Sequence, residues 1–203
     1  ARTDISRITG YNIVTVSNYI ENYIKNGLVF ERGYDTSTGG RRPVLVEMNN
    51  DAAYVAAVGL NIFDILGVIV DMKANVKYEV KIPRPPGRNE AVISSIIKVV
   101  EELFEKAISI REKVCCIGVG MPGIIDVEGR TVRWPMGPLP TEDAFISISL
   151  KELFENKFKL PVLVENDADC AVSGEKWLAL NPEIKNILYM YSGVSCGIII
   201  DGN

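Results

Sequence analysis

Apolar positions three and four residues apart dominate the opening of the chain. Val16, Ile20, Tyr23, Ile24 and Leu28 fall on one side of a helix that Asn12 can cap and Gly27 can end. Residues 3–9 read as a shorter helix before it, closed by Gly10, which tolerates the left-handed exit. Leu28-Val29-Phe30 starts a strand and Val44-Leu45-Val46 returns as another. Between them residues 35–40 are turn formers, read as a hairpin tip or wing. Two helices around a glycine turn are the sequence form of a helix-turn-helix.

After Asn49-Asn50-Asp51, the best boundary in the chain, the pattern becomes strand-like. Residues 54–60 and 65–70 are mostly apolar, as buried strands are, whereas residues 76–82 alternate apolar and charged and predict a half-exposed strand. Pro83, Pro85, Pro86 and Gly87 break it. Asn89 is placed to cap a long helix with a core face of Val92/Ile93, Ile96/Ile97, Val100, Leu103/Phe104 and Ala107/Ile108. Residues 114–119 predict a strand, and Ser149 with Glu152 a capping box ahead of Leu150, Leu153 and Phe154. Residues 162–165 predict a strand, residues 168–178 a helix, and residues 187–191 with 198–200 a closing hairpin. This order gives a layered α/β domain over residues 51–203, behind a smaller one over 1–50. Residues 58–71 and 189–201 echo one another, each two apolar strands around a small-residue turn and ending in Asp.

Composition changes the picture little. The 203 residues are 47% hydrophobic and 24% charged, ordinary for a cored protein, and no apolar run approaches the ~18 residues a membrane span needs. No signal-peptide pattern opens the sequence, so a cytoplasmic location is expected and no membrane partner. There is no histidine, which removes His-based nucleophilic chemistry and His-based zinc sites from this stretch. Cys115, Cys116, Cys170 and Cys196 show no metal spacing, and the adjacent pair reads as small hydrophobes in a buried strand. The net charge of −4 divides into six Lys/Arg against five Asp/Glu in residues 1–50 and sixteen against twenty-one thereafter. Such a balance does not by itself indicate nucleic acid.

Residues 4–29 (DISRITGYNIVTVSNYIENYIKNGLV) resemble the helix-turn-helix of repressors of the ROK family, and 38–43 (TGGRRP) the arm after its wing. Residues 118–126 (GVGMPGIID), 164–169 (VENDAD) and 197–202 (GIIIDG) follow in that family's order and spacing, so the likeness covers the whole chain. It implies a winged helix-turn-helix joined to the first lobe of an actin-like, ribonuclease-H-like sugar-kinase fold, with the opening hairpin of a second lobe. The second helix would enter the major groove of double-stranded operator DNA. It would offer Asn12, Ile13, Thr15, Ser17 and Asn18 to base edges while Val16 and Ile20 pack inward. That helix has no cation before Lys25, so phosphate contacts fall to Arg2, Arg7, Arg32, Arg41 and Arg42, the last two on a flexible arm suited to a narrow minor groove. A helical hairpin for protein contacts, and a solvated Arg-Arg-Pro linker, are the plainer alternatives.

In the family's kinases the first phosphate loop resembles Asp-x-Gly-x-Thr, where this chain has Asn61-Ile62-Phe63-Asp64-Ile65. Phe63 would fill the phosphate's space, and the second loop, Gly193-Val194-Ser195-Cys196-Gly197, looks shortened, so ATP is not an expected cofactor. Glu165-Asn166-Asp167 is intact; the resemblance makes Asn166 and Asp167 sugar ligands and puts Gly123 at the rim of the same cleft. Asn-Asp after a strand also commonly caps the following helix. These features predict a sugar-responsive, homo-oligomeric repressor without ATP turnover, no catalytic residue and no cofactor. The alternative is an active ROK sugar kinase with an appended interaction module. By comparison with the family, the helix before the helix-turn-helix and most of the second lobe, with its cysteine-rich zinc site, lie outside these residues.

Overall fold

The structure, a computed structural model, describes residues 1–34, 44–86, 90–126, 131–135, 145–178, 183–191 and 195–202. It divides into two compact units, Ala1–Ala53 with Asp71–Ala74, and Tyr54–Val70 with Asn75–Asn203. No described helix is long and apolar enough to cross a membrane.

In the first unit α1 (Arg2–Thr9) ends at Gly10, whose φ of 74° is the left-handed exit. Asn12 caps α2 (Ile13–Lys25) by accepting from the Val14 amide at 2.8 Å. Val16 and Ile20 form the buried side of α2. Tyr23, expected on that side, is instead exposed, because its ring lies alongside that of Tyr19 at a centroid distance of 6.4 Å. β1 (Val29–Tyr34) and β2 (Val44–Met48) pair antiparallel with a register break between Glu31 and Tyr34. Asn49 fastens this hairpin to the helices: its Nδ2 donates to the Gly27 carbonyl at 2.8 Å, where Gly27 holds a φ of 71°. The expected hairpin tip at 35–40 and the arginines Arg41 and Arg42 lie outside the described residues.

The second unit is built on a five-stranded sheet in the order β10-β6-β3-β4-β5, from β3 (Tyr54–Leu60), β4 (Asp64–Asp71), β5 (Val76–Pro83), β6 (Val114–Met121) and β10 (Val162–Asn166). β3, β6 and β10 run parallel; β5 runs antiparallel to β4 at one edge. α3 (Glu90–Lys106) covers one face with Val92, Ile93, Ile96, Val99, Val100, Leu103 and Phe104 buried. α4 (Leu150–Phe158) extends that layer, and Phe158 packs against both Phe104 and Phe154 at 5.5 Å. Ile108 is exposed, since α3 stops at Lys106 and the chain turns there. Ser149 stands at the start of α4, but its side chain makes no capping bond, and Leu153 is exposed.

Three short strands, β7 (Ile124–Ile125), β8 (Val132–Pro135) and β9 (Phe145–Ile148), form a separate antiparallel sheet that the sequence pattern did not predict. α5 (Asp167–Leu178) follows β10 and packs on the hairpin of β11 (Ile187–Tyr191) and β12 (Ser195–Ile199). Cys115 is exposed rather than buried: a register break between Tyr54 and Val55 makes it the extra residue opposite β3.

Gly67 lets α3 sit close to the sheet. A Cβ there would meet Val99 Cγ1 at 2.5 Å and Leu103 Cδ1 at 2.7 Å, both on buried side chains. Gly67→Ala is therefore expected to cost about 1–3 kcal/mol, read as a lower denaturant midpoint. Gly59→Ala, whose nearest neighbour would be the Gly120 carbonyl at 3.8 Å, serves as a near-neutral control. Equal midpoints for the two variants would show that α3 backs away freely.

Candidate functional site

The carboxyl ends of β3, β6 and β10 lie side by side, the position where α/β sheets place their ligands. Each strand leaves through a turn whose backbone groups the sheet no longer pairs. After β3, the Asn61 Oδ1 accepts from the amides of Phe63 at 2.7 Å and Asp64 at 2.8 Å. These are the backbone donors that a phosphate loop would turn toward an anion, and a side chain already occupies them. Phe63 does not fill the turn as expected: its side chain is 71% exposed and points to solvent.

After β10, Asn166 bridges two turns. Its Nδ2 donates to the Gly123 carbonyl at 2.9 Å, and its Oδ1 accepts from the Ala168 amide at 2.8 Å. The first bond ties it to the turn after β6; the second caps α5. The same oxygen accepts a second, longer bond from the Asp169 amide at 3.4 Å, so only one amide hydrogen is left over. Gly123 has a φ of 132°, and a Cβ there would meet the Arg133 carbonyl at 2.8 Å, so a side chain is excluded by both backbone and space. The structure thus brings Gly123, Asn166 and Asp167 together, with Gly123 and Asn166 in direct contact.

Asp167 is the first residue of α5 and is half-buried; its Oδ1 accepts from the Ala168 amide at 3.0 Å. Burial pushes its carboxyl above the usual range and Asp169 adds to this, against the opposing amide bonds. Asp169 is raised by burial and by Glu165. The Cys170 thiol is pushed up to about 11 by burial and then by Glu165, Asp167 and Asp169. A groove of about 610 Å³ joins these acids to the uncovered sheet face, where Ala57, Gly59, Gly118 and Gly120 leave space. Sequence reasoning did not assign Glu165, Asp169 or the groove to the site, although Ala57 and Gly59, like Gly118 and Gly120, stand at alternate positions of one strand and so share a face. Among the described residues no group of three His, Cys, Asp or Glu side chains is placed to hold a metal ion. The turn at 192–194, part of the second phosphate-loop expectation, lies outside the described residues.

In the first unit, α2 exposes Asn12, Ile13, Thr15 and Asn18, whereas Ser17 is half-buried. Val14, at 63% exposure, stands further out than Ile13 at 41%. Three of the arginines expected to grip phosphate are engaged within the protein. Arg2 pairs with Glu31 at 3.0 Å and Glu21 at 3.4 Å, Arg7 with Asp4 at 3.0 Å, and Arg32 with Glu47.

A family model described as the ROK family matches residues 56–203, and the chain belongs to the ROK family. The xylose repressor of Caldicellulosiruptor bescii is 32% identical over 204 residues, covering 99% of this chain and 50% of that protein. A ROK family transcriptional regulator, described as a homolog of the E. coli MLC protein, superposes with a TM-score of 0.73 at 19% identity, over 100% of this chain and 50% of its own. A ROK family glucokinase from Streptomyces griseus, in complex with glucose and AMPPNP, superposes with a TM-score of 0.61 at 25% identity, over 74% of this chain and 46% of its own. The chain spans about half the length of the curated relatives it matches.

The raised carboxyl of Asp167 has a testable sign. A folded state that binds this proton more tightly than the unfolded chain has the benefit below the ordinary aspartate pKa of about 3.9. That benefit is lost as pH rises through the raised native value. Asp167→Asn cannot ionise, so its melting temperature relative to the parent should increase between pH 3.5 and pH 7. A pH-independent difference would show that the site imposes no charge penalty.

Proposed function

We propose that the chain carries the DNA-binding and first sensing parts of a sugar-responsive transcriptional repressor. The first unit acts as a winged helix-turn-helix on double-stranded operator DNA, and the second as a sugar-binding lobe that turns over no ATP. The observation that carries this reading is coverage. The likenesses to a repressor and to a transcriptional regulator extend over 99% and 100% of the chain, the first unit included, whereas the glucokinase accounts for 74%.

In this reading α2 lies in the major groove and Asn18 reads a base edge, while Arg41 and Arg42 supply phosphate or minor-groove contacts. Asp167, Gly123 and the spare amide hydrogen of Asn166 meet the hydroxyls of a neutral sugar, each of which both donates and accepts. The internal satisfaction of the turn after β3 supports a sensor over a kinase: a phosphate would have to displace the Asn61 oxygen from two amides. Sugar binding would then bias the spacing of two DNA-reading units in a homo-oligomer.

Fluorescence anisotropy with duplex DNA over a salt series tests the DNA half. Asn18→Ala is expected to reduce discrimination at one base pair roughly tenfold. Arg41→Ala with Arg42→Ala should weaken binding to every sequence and lower the salt slope by about two. For the sensing half, a sugar panel with ATP should give no ADP. Sugar-dependent ADP release that disappears in Asp167→Asn would replace the sensor with a kinase.

A further inference from the structure

The DNA reading above assigns contacts to the first turns of α2, yet the outward face of that helix continues. Thr15, Asn18, Tyr19 and Asn22 stand three and four residues apart and line a shallow surface hollow of about 350 Å³. None of the four carries a charge. The row from Thr15 to Asn22 covers about 10 Å of helix axis at 1.5 Å per residue, or roughly three base pairs at 3.4 Å each. A ligand matched to it must offer hydrogen-bonding groups and apolar edges in a narrow line, rather than a concentrated charge.

Two side chains in this row have partners one turn further on. Tyr19 is 56% exposed, and its ring lies alongside that of Tyr23 at a centroid distance of 6.4 Å and an interplanar angle of 25°. Asn22 accepts from Asn26 Nδ2 at 3.0 Å through its Oδ1, so one side of its amide is anchored while the Nδ2 is left to donate outward. Arg2, Arg7 and Arg32 pair with carboxylates of the same unit, and the row itself offers only neutral groups.

We infer that Tyr19 and Asn22 are additional base-reading residues, which extend the DNA contact of α2 by a further turn. Asn22 turns its amide to the major-groove edge of an A·T pair. Tyr19 lays its ring edge against the methyl group of a neighbouring thymine. This rests on the DNA reading and goes beyond it by naming the residues and bases of the added turn.

The test begins with enrichment of bound duplexes from a random library by the parent protein, followed by affinities for the enriched site. Asn22→Ala is expected to lower preference for one A·T pair roughly tenfold with an unchanged salt slope. Replacing the contacted thymine by uracil removes only the methyl group and should weaken the parent about fourfold, the worth of one buried methyl. Tyr19→Ala should show no such response to uracil, while Tyr19→Phe should keep it. An unchanged far-UV spectrum and melting temperature in both tyrosine variants separate this from loss of the helix. A parent site that both Asn22→Ala and Tyr19→Ala select and bind unchanged would overturn this inference alone. Failure of the parent to enrich any sequence would overturn the DNA reading, and this inference with it.

Discussion

Where β6 and β10 leave the sheet, each turn exposes backbone groups without a strand partner, and the Asn166 side chain meets one from each. Leaving such groups unpaired in a half-buried site costs about 1–3 kcal/mol each, so one amide replaces two penalties with two bonds. The consequences spread outward from that residue. Because Asn166 Nδ2 holds the Gly123 carbonyl, the turn after β6 is fixed, and β7 begins at Ile124, paired with Arg133 on β8. Because Asn166 Oδ1 caps α5, Asp167 is set at the start of that helix with its carboxylate toward the groove. Gly197 completes the arrangement, since a Cβ there would collide with the Ala168 carbonyl and push β12 off α5.

Charge at this end of the sheet works against stability. Exposed Glu165 and Asp169 lie close to half-buried Asp167, and Asp167 and Asp169 hold their protons more tightly than usual. Nothing in the packing of α5 requires a carboxylate at 167; an Asn would retain the acceptor for the Ala168 amide. A group kept at a cost to folding is typical of sites that bind or react. The neighbouring turn after β3 has taken the opposite course. There an amide oxygen replaces an external anion and leaves the backbone donors satisfied. The groove end therefore disfavours polyanions.

Much of this was legible in the sequence because the signals were local and periodic. The burial of Val16 and Ile20, the exits at Gly10 and Gly27, the Asn12 cap and strand β3 all follow from spacing and from single-residue geometry. The failures share one cause: tertiary context outweighed a local signal. Tyr23 has helical spacing but prefers its neighbour's ring to the core, and Ser149 with Glu152 has the sequence of a capping box without the Ser149 bond. Strands β7 to β9 have at most four residues each and carry too few positions for a period to be read. At Cys115 a register break with β3 reverses the alternation that the apolar run implied. The Asn166 bridge spans 43 residues of sequence, and no motif of contiguous residues can announce such a bond. The familiar Glu-Asn-Asp order located the site; only the fold showed that most of the asparagine's capacity is spent within the protein.

The neutrality of the α2 face bears on how a regulator of the proposed kind would switch. Binding dominated by many phosphate contacts gains affinity on any sequence and depends little on the register of two subunits along the duplex. Three of the first unit's arginines pair with Glu21, Glu31, Asp4 and Glu47, and in the proposed reading a phosphate would compete with those carboxylates for them. In the proposed homo-oligomer two units would engage at once, with the second held at high effective concentration by the first. Such linkage supplies a gain on the order of 10²–10⁴ and vanishes when geometry prevents both from engaging. A sugar that altered the separation of two units would not need to touch the DNA-reading helix at all. In the proposed regulator it would only need to remove the linkage term.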